Sequence, residues 1–390
     1  MHVVYVVPSL RPSSGWRAMA VGAVGSLQRH VGVKPLLVVS SEDARAAKEL
    51  LPDCQRLVVP QTQFLALGSA RGWPGVLATW LTARHVPTHP VLVHSLEAYP
   101  TGLVGHWLAA RLGCPHVLTA VGTYAVHWAQ AGLDQRVYKR VLRHAGAICP
   151  ISRGTADLMR RHFVLDESRL RVILLGTDHH RKVPRSVAIG RARVDPPVIL
   201  SVGAIKPRKG YEVSLRAFAR VKRRIPGARY QIVGRVDQPA YFDKLRQVIA
   251  DADIRDVEFL TDTSDAELDR HYRNASVFLL TPEQHGLAFE GFGLVYLEAG
   301  AYGLPVVATA SGGVTDAVRH QHTGLLAPPG NVEEVARHML VLLQEPELAT
   351  RLGRANRQWA ERLTWERFAE EQYHVYDRLL HTGNCGVARG

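Results

Sequence analysis

Short apolar runs alternate with helix-period stretches from one end of the chain to the other. Val3–Val7, Leu36–Val39, Leu57–Val59, Val91–His94, Val117–Val121 and Ala147–Pro150 read as strands, with Gly102–Arg111 and Asp134–His144 as amphipathic crossovers. Around Leu175 the pattern breaks. Residues 176–197 are basic, carry Pro184, Pro196 and Pro197 and lack periodicity, which predicts a linker. A second series follows at Val198–Val202, Tyr230–Val233, Val257–Leu260, Val277–Leu280, Val306–Ala308 and Gly324–Leu326, and a helix over Trp365–Leu380 closes the pattern. Strands alternating with helices predict an α/β protein with parallel sheets, here two doubly wound domains with a cleft between them. The domains are expected at residues 1–185 and 186–364, with 365–390 a C-terminal helix packing back toward the first. Open α/β sheets bind ligands beyond the carboxyl ends of their strands, so the loops after the strands are where chemistry is sought.

The densest signal lies there, between Thr281 and Asp316. The strand Val277–Leu280 leads into a loop ending Glu290-Gly291-Phe292-Gly293, and a helix is predicted over Leu294–Tyr302. Glycines let a backbone approach a ligand, and the unpaired N–H groups at a helix start attract phosphate. Glu298 lies eight positions after Glu290. At ~1.5 Å rise per residue, helical spacing would put the carboxylates roughly 12 Å apart. A nucleotide sugar carries hydroxyl-bearing rings on either side of a pyrophosphate, so two carboxylates with N–H donors between them match its layout. A second loop, Gly203-Ala204-Ile205-Lys206-Pro207-Arg208-Lys209-Gly210, crowds three cations at the end of the first strand of the second series, where an anion is the natural ligand.

Together these stretches resemble the E-x7-E donor signature of retaining family 4 glycosyltransferases, enzymes of GT-B fold with two Rossmann-like domains facing each other across a cleft. The resemblance is strongest from Val198 to Leu326. It implies that Glu298 binds the donor ribose and that Glu290 contacts the donor sugar near the reacting carbon. Gly291, Phe292, Gly293 and the helix start at Leu294 would hold the phosphates. Gly203, Lys206, Arg208 and Lys209 would line the donor site, with Lys209 neutralising the leaving diphosphate. Glu290 and Lys209 are the expected catalytic pair. Relatives commonly carry arginine after the first glycine of the cationic loop, and this chain has Ala204, so Lys206 or Arg208 would share the charge. In the first domain Ser13-Ser14-Gly15 corresponds to the family's glycine loop near the diphosphate, with Gly15 the donor-side candidate. The strand-end histidine of many relatives is Val121 here, which leaves His94 and Tyr124 as acceptor-side candidates.

The implied reaction moves a hexose from a UDP- or GDP-sugar to an acceptor hydroxyl, with retention and without metal. No cofactor is expected. Asp251-Ala252-Asp253 imitates a metal-binding DxD but falls at a predicted helix end, and His179-His180 are adjacent, a poor geometry for joint ligation. The 390 residues include 48 Lys and Arg against 35 Asp and Glu, a net charge of +13 that favours anionic partners. The acceptor is expected to be a sugar, a lipid-linked compound or a small molecule. Peripheral contact with an anionic membrane fits the basic helices of the first domain, and nucleic acid is not expected, since no aromatic-plus-basic module is visible. Trp73, Trp80, Trp107 and Trp128 could stack on a sugar or contact lipid, although core packing is the commoner fate of tryptophan. Cys54, Cys114, Cys149 and Cys385 show no metal or disulfide spacing. No run approaches the roughly 20 apolar residues of a spanning helix, and no basic region followed by an apolar stretch opens the chain. The expectation is a cytoplasmic protein, able to dock on the inner face of the cell membrane. The alternatives are a nucleotide-sugar epimerase of the same fold and a non-catalytic binder of nucleotide sugar or nucleic acid.

Overall fold

The computed structural model describes residues 1–11, 15–60, 62, 81, 92–129, 132–189 and 194–381. Ser13, Ser14, Trp73, Trp80, Val91 and Cys385, named above, lie outside the described residues. The chain forms two compact units, Met1–Leu175 with the C-terminal segment from Trp365, and Gly176–Thr364.

The first unit is built on a six-stranded parallel sheet of β1 (His2–Val6), β2 (Lys34–Ser40), β3 (Gln55–Val59), β4 (Leu92–Ser95), β5 (His116–Ala120) and β6 (Ala147–Pro150), in the order β3-β2-β1-β4-β5-β6. Helices cover the sheet, so its inner strands are buried along their whole length rather than in alternation: β4 and β5 are buried at every residue. The helix Trp365–His381 belongs to this unit and packs on the helix Gly15–Val31. Its Tyr376 hydroxyl meets the Tyr5 hydroxyl of β1 at 3.2 Å in the core.

The second unit repeats the plan with β7 (Val198–Val202), β8 (Arg229–Val233), β9 (Val257–Leu260), β10 (Val277–Leu280), β11 (Val306–Thr309) and β12 (Gly324–Ala327), in the order β12-β11-β10-β7-β8-β9. Counted from its own first strand this is again 3-2-1-4-5-6 read backwards, the doubly wound order. Strand order reverses between β7 and β10, paired through Val277 with Ile199 and Phe278 with Leu200. The crevice of such a sheet opens at that reversal, beyond the carboxyl ends of the two strands. The loops that follow β7 and β10 are the cationic loop and the Glu290 loop.

Two expectations need correction. The units divide after Leu175, not at residue 185, and much of the supposed linker is packed structure. Residues His179–Lys182 and Arg185–Ile189 form short helices against the helices Leu294–Ala301 and Pro346–Arg362 of the second unit. Val183 and Ala188 are buried, and Arg185 shares Glu361 with Arg357, at 2.6 and 2.8 Å. Helices of one or two turns show no 3.6-residue period, so only their tertiary contacts reveal them.

Candidate active site

The cationic loop ends in a single 3-10 turn, Pro207–Lys209, and then Gly210. Gly210 has φ +69°, and a Cβ there would lie 1.6 Å from the carbonyl oxygen of Thr281. Only glycine lets the two strand-end loops come this close. Thr281 Oγ1 closes the junction by donating to the Gly210 carbonyl at 2.6 Å, and the Glu283 N–H donates to the Arg208 carbonyl at 3.0 Å.

This junction carries the side chains together. Lys209 Nζ lies 2.5 Å from Glu290 Oε2, and Arg208 donates to the same oxygen at 2.8 Å. Lys209 and Glu290 are buried, each with 7% exposure. Burial disfavours the Glu290 carboxylate, but the two cations overcome it and hold its pKa down at about 2. Burial also lowers the Lys209 ammonium, against the pull of Glu290. Lys206 is directed elsewhere: its ammonium pairs with Asp237 at 3.0 Å, which also accepts from Arg235 at 2.9 Å. Of the two replacements open for the cation missing at Ala204, Arg208 is the one that converges with Lys209.

Beyond Glu290 the chain turns through Gly291-Phe292-Gly293 into the helix Leu294–Ala301. Phe289 and Phe292 are anchored in the core at 1% exposure each. Gly293 caps the helix with φ +88°, and no side chain caps its first turn. Its N–H groups are therefore of the kind that bind anions. Because the helix begins only at Leu294, the helical spacing assumed between Glu290 and Glu298 does not apply to the whole interval. Glu298, half-buried, accepts a hydrogen bond from the Tyr272 hydroxyl at 3.0 Å. A cavity of about 330 Å³ adjoins this loop, lined by Glu283, Gln284, His285, Ser311, Gly312 and Pro329 among others.

The first unit is more sparing. Gly15 is exposed at the start of its helix, and the next residue, Trp16, packs its ring on Tyr124 with centroids 4.6 Å apart. Tyr124 is 41% exposed, in the turn Gly122–Ala125 after β5. His94 is a correction. It lies inside β4, fully buried, with Nδ1 at 2.5 Å from the Tyr376 hydroxyl and Nε2 at 2.8 Å from Thr119 Oγ1. Burial pushes its pKa down to about 3, so it is a neutral core histidine with both nitrogens occupied. His94→Ala is expected to lower the melting temperature while leaving the acceptor KM unchanged; a selective rise in KM would restore it to the acceptor side. Asp251 and Asp253 are exposed at the end of the helix Pro239–Asp251. Trp107 and Trp128 are half-buried. Among the described residues no three of His, Cys, Asp and Glu gather in a metal-ligating array, and no helix is long and apolar enough to cross a membrane.

Tyr272 and Thr281 escaped the sequence reading. Tyr272 stands in the strongly polar stretch Asp265–Asn274 and Thr281 follows the apolar run Val277–Leu280, and neither setting marks a hydroxyl with a long-range partner.

Residues 25–181 match the family described as Glycosyltransferase Family 4, and residues 184–359 that described as Glycosyl transferases group 1. The chain is 30% identical over 271 residues to a GDP-mannose-dependent alpha-(1-6)-phosphatidylinositol monomannoside mannosyltransferase of Mycolicibacterium smegmatis, covering 67% of this chain and 70% of that protein. It is 31% identical to a D-inositol 3-phosphate glycosyltransferase of Saccharomonospora viridis, covering 92% of this chain and 87% of that one. Among solved structures, Anabaena HepE in complex with UDP and glucose superposes with a TM-score of 0.76 at 18% identity, over 97% of this chain and 100% of that one. Sucrose-phosphate synthase from Thermosynechococcus elongatus gives 0.77 at 23%, over 98% and 99%. With this fold and these relatives the chain falls in the GT-B class of glycosyltransferases and is an enzyme. It belongs to glycosyltransferase family 4.

Proposed function

We propose that this enzyme transfers a hexose from a UDP- or GDP-sugar to an acceptor hydroxyl, with retention of anomeric configuration and with its diphosphate charge met by the chain itself. The observation that carries the reading is the convergence of Lys209 and Arg208 on Glu290 at the strand-order reversal, beside an uncapped helix start. The donor diphosphate would take Lys209, Arg208 and the N–H groups of Gly291, Phe292, Gly293 and Leu294 as partners, and the ribose would take Glu298. Gly203 and Gly15 would lie near the phosphates, with Lys206 at the margin.

In the reaction the bond from the anomeric carbon to the diphosphate oxygen breaks, and its electron pair leaves with the diphosphate. The acceptor oxygen bonds to the same face of the carbon and yields its proton to the departing phosphate oxygen. Lys209 and Arg208 stabilise the charge that grows on phosphate, and a preorganised electrostatic contribution of this kind is commonly the largest in such a reaction. Glu290, released from its cations as phosphate engages them, orients the hexose through its hydroxyls. Metal is unnecessary in this scheme because two cations and the helix start do its electrostatic work.

The relatives' names give inositol carriers of phosphate as acceptors, and the charge of +13 suits such anionic compounds. A phosphorylated polyol, free or lipid-borne, is therefore the proposed acceptor class, with Tyr124 on its side of the site. The first test is a thermal-shift panel of UDP, GDP, ADP and their sugars in chelator, with Glu298→Ala alongside. A ligand at 100 times its Kd adds about 2.7 kcal/mol of stability. One nucleotide class should shift the wild type and not the variant. No shift with any nucleotide would sink the donor reading, and donor turnover without acceptor would indicate an epimerase. Transfer to inositol phosphate in solution, against phosphatidylinositol in vesicles, separates the free from the lipid-borne acceptor.

A further inference from the structure

The helix Asp265–Asn274, between β9 and β10, buries one side chain, Tyr272. Its ring lies between two others: it stacks on Tyr302 with centroids 4.9 Å apart and planes 8° from parallel, and on Phe278 at 6.2 Å and 19°. Tyr302 is itself fixed, donating to Asp269 Oδ1 at 2.7 Å, and Asp269 is paired with Arg273 at 2.6 Å. Glu298 and Tyr302 stand four residues apart around the helix Leu294–Ala301 and its C-terminal cap, on one face. Tyr302 meets the ring of Tyr272, and Glu298 meets its hydroxyl at 3.0 Å.

We propose that Tyr272 is a positioning residue for the donor ribose: its buried hydroxyl locks Glu298 Oε2 so that the carboxylate is preset to receive the ribose diol. The inference rests on the reading of Glu298 as the ribose ligand. A tyrosine suits the task in a way that lysine or arginine would not. It is neutral, so it orients the carboxylate without cancelling the charge that strengthens hydrogen bonds from the diol. Burial, reinforced by Glu298, raises its own pKa well above the ordinary value, so it remains a donor at every working pH. A carboxylate offers about four acceptor positions over its two oxygens, so one tyrosine bond leaves capacity for two ribose hydroxyls. Fixing the carboxylate before binding removes an ordering cost that each donor would otherwise bear.

The test is calorimetric titration of GDP, UDP and their 2′-deoxy counterparts into the full chain, its Tyr272→Phe and Glu298→Gln variants, and the double variant. Donor kinetics are measured in parallel. The wild type is expected to prefer the ribonucleotide by about tenfold, because a site built to bond a hydroxyl rejects the analogue lacking it. Tyr272→Phe keeps the stacked ring, and should cut that preference to under about threefold by weakening the ribonucleotide alone. Donor KM should rise with kcat unchanged, and adding Tyr272→Phe to Glu298→Gln should cost nothing further. Tyr302→Leu, which leaves the hydroxyl but removes its support, should move the preference in the same direction. If Tyr272→Phe weakens ribo- and deoxynucleotides equally, or leaves the preference intact, Tyr272 does no positioning and the proposal falls while Glu298 keeps its role. A wild type indifferent to the 2′-hydroxyl would overturn the ribose reading of Glu298, and this proposal with it.

Discussion

Replacing Lys209 with alanine is expected to lower kcat roughly a hundredfold or more, the scale on which single oxyanion-stabilising groups act, with a smaller change in donor KM. Lys209 is buried and held 2.5 Å from Glu290, so its charge is fixed before substrate arrives and needs no reorganisation as the leaving group departs. Arg208→Ala should have the same sign and a lesser effect, because Arg208 shares the Glu290 oxygen from a more accessible position. Lys206→Ala should do least, since that ammonium is engaged by Asp237. Steady-state kinetics on the three variants reads the order directly. Equal rates for Lys209→Ala and wild type would remove Lys209 from the mechanism. The same cluster predicts a pH dependence of stability. The Glu290 carboxyl falls from 4.5 to about 2 on folding, so its contribution is complete above about 4.5 and is lost as pH drops toward 2. Glu290→Gln should flatten that acid limb of the melting profile and leave the profile near neutrality without this contribution.

The second large effect is expected from Gly210→Ala, one methyl group with no chemistry of its own. At φ +69° an alanine costs on the order of 1–3 kcal/mol in backbone conformation alone. The added carbon would also lie 1.6 Å from the Thr281 carbonyl oxygen, a backbone atom that cannot swing aside as a flexible side chain would. The loops after β7 and β10 must therefore separate, and Lys209 moves away from Glu290. Melting temperature, donor affinity and kcat should all fall together, and donor affinity should fall further than in Lys209→Ala, which strips Glu290 of one cation but leaves the loop junction closed. A Gly210→Ala enzyme with normal melting and normal turnover would show that the junction is not what assembles the site.

The legibility of this chain follows from how local each signal is. The strands of the second unit could be read almost to the residue, because a parallel sheet covered on both faces leaves largely apolar runs such as Val198–Val202, interrupted only by Ser201, and the unbroken Val277–Leu280. Glu290, Glu298 and the cationic loop could be named because their glycine-and-charge spacing, from a strand end into the helix Leu294–Ala301, resembles the family's donor signature, which is likewise a local pattern. His94 misled because a strand-end histidine and a core histidine look alike until Tyr376, 282 residues away, is seen against its ring. The helices within residues 176–197 were invisible because single turns carry no period.

By itself, then, the chain's pattern determined two doubly wound units, the loops where their chemistry gathers and the residue types available there. Those are consequences of short-range order: backbone periodicity, glycine freedom and charge beside a helix start. The tertiary structure decided which two of three cations reach Glu290, that Gly210 and Thr281 clamp the two loops, that residues 177–189 pack within the second unit, and that Tyr272 bonds Glu298. Each of these depends on contacts between residues far apart in sequence, whose distances are set by the packing of one element against another.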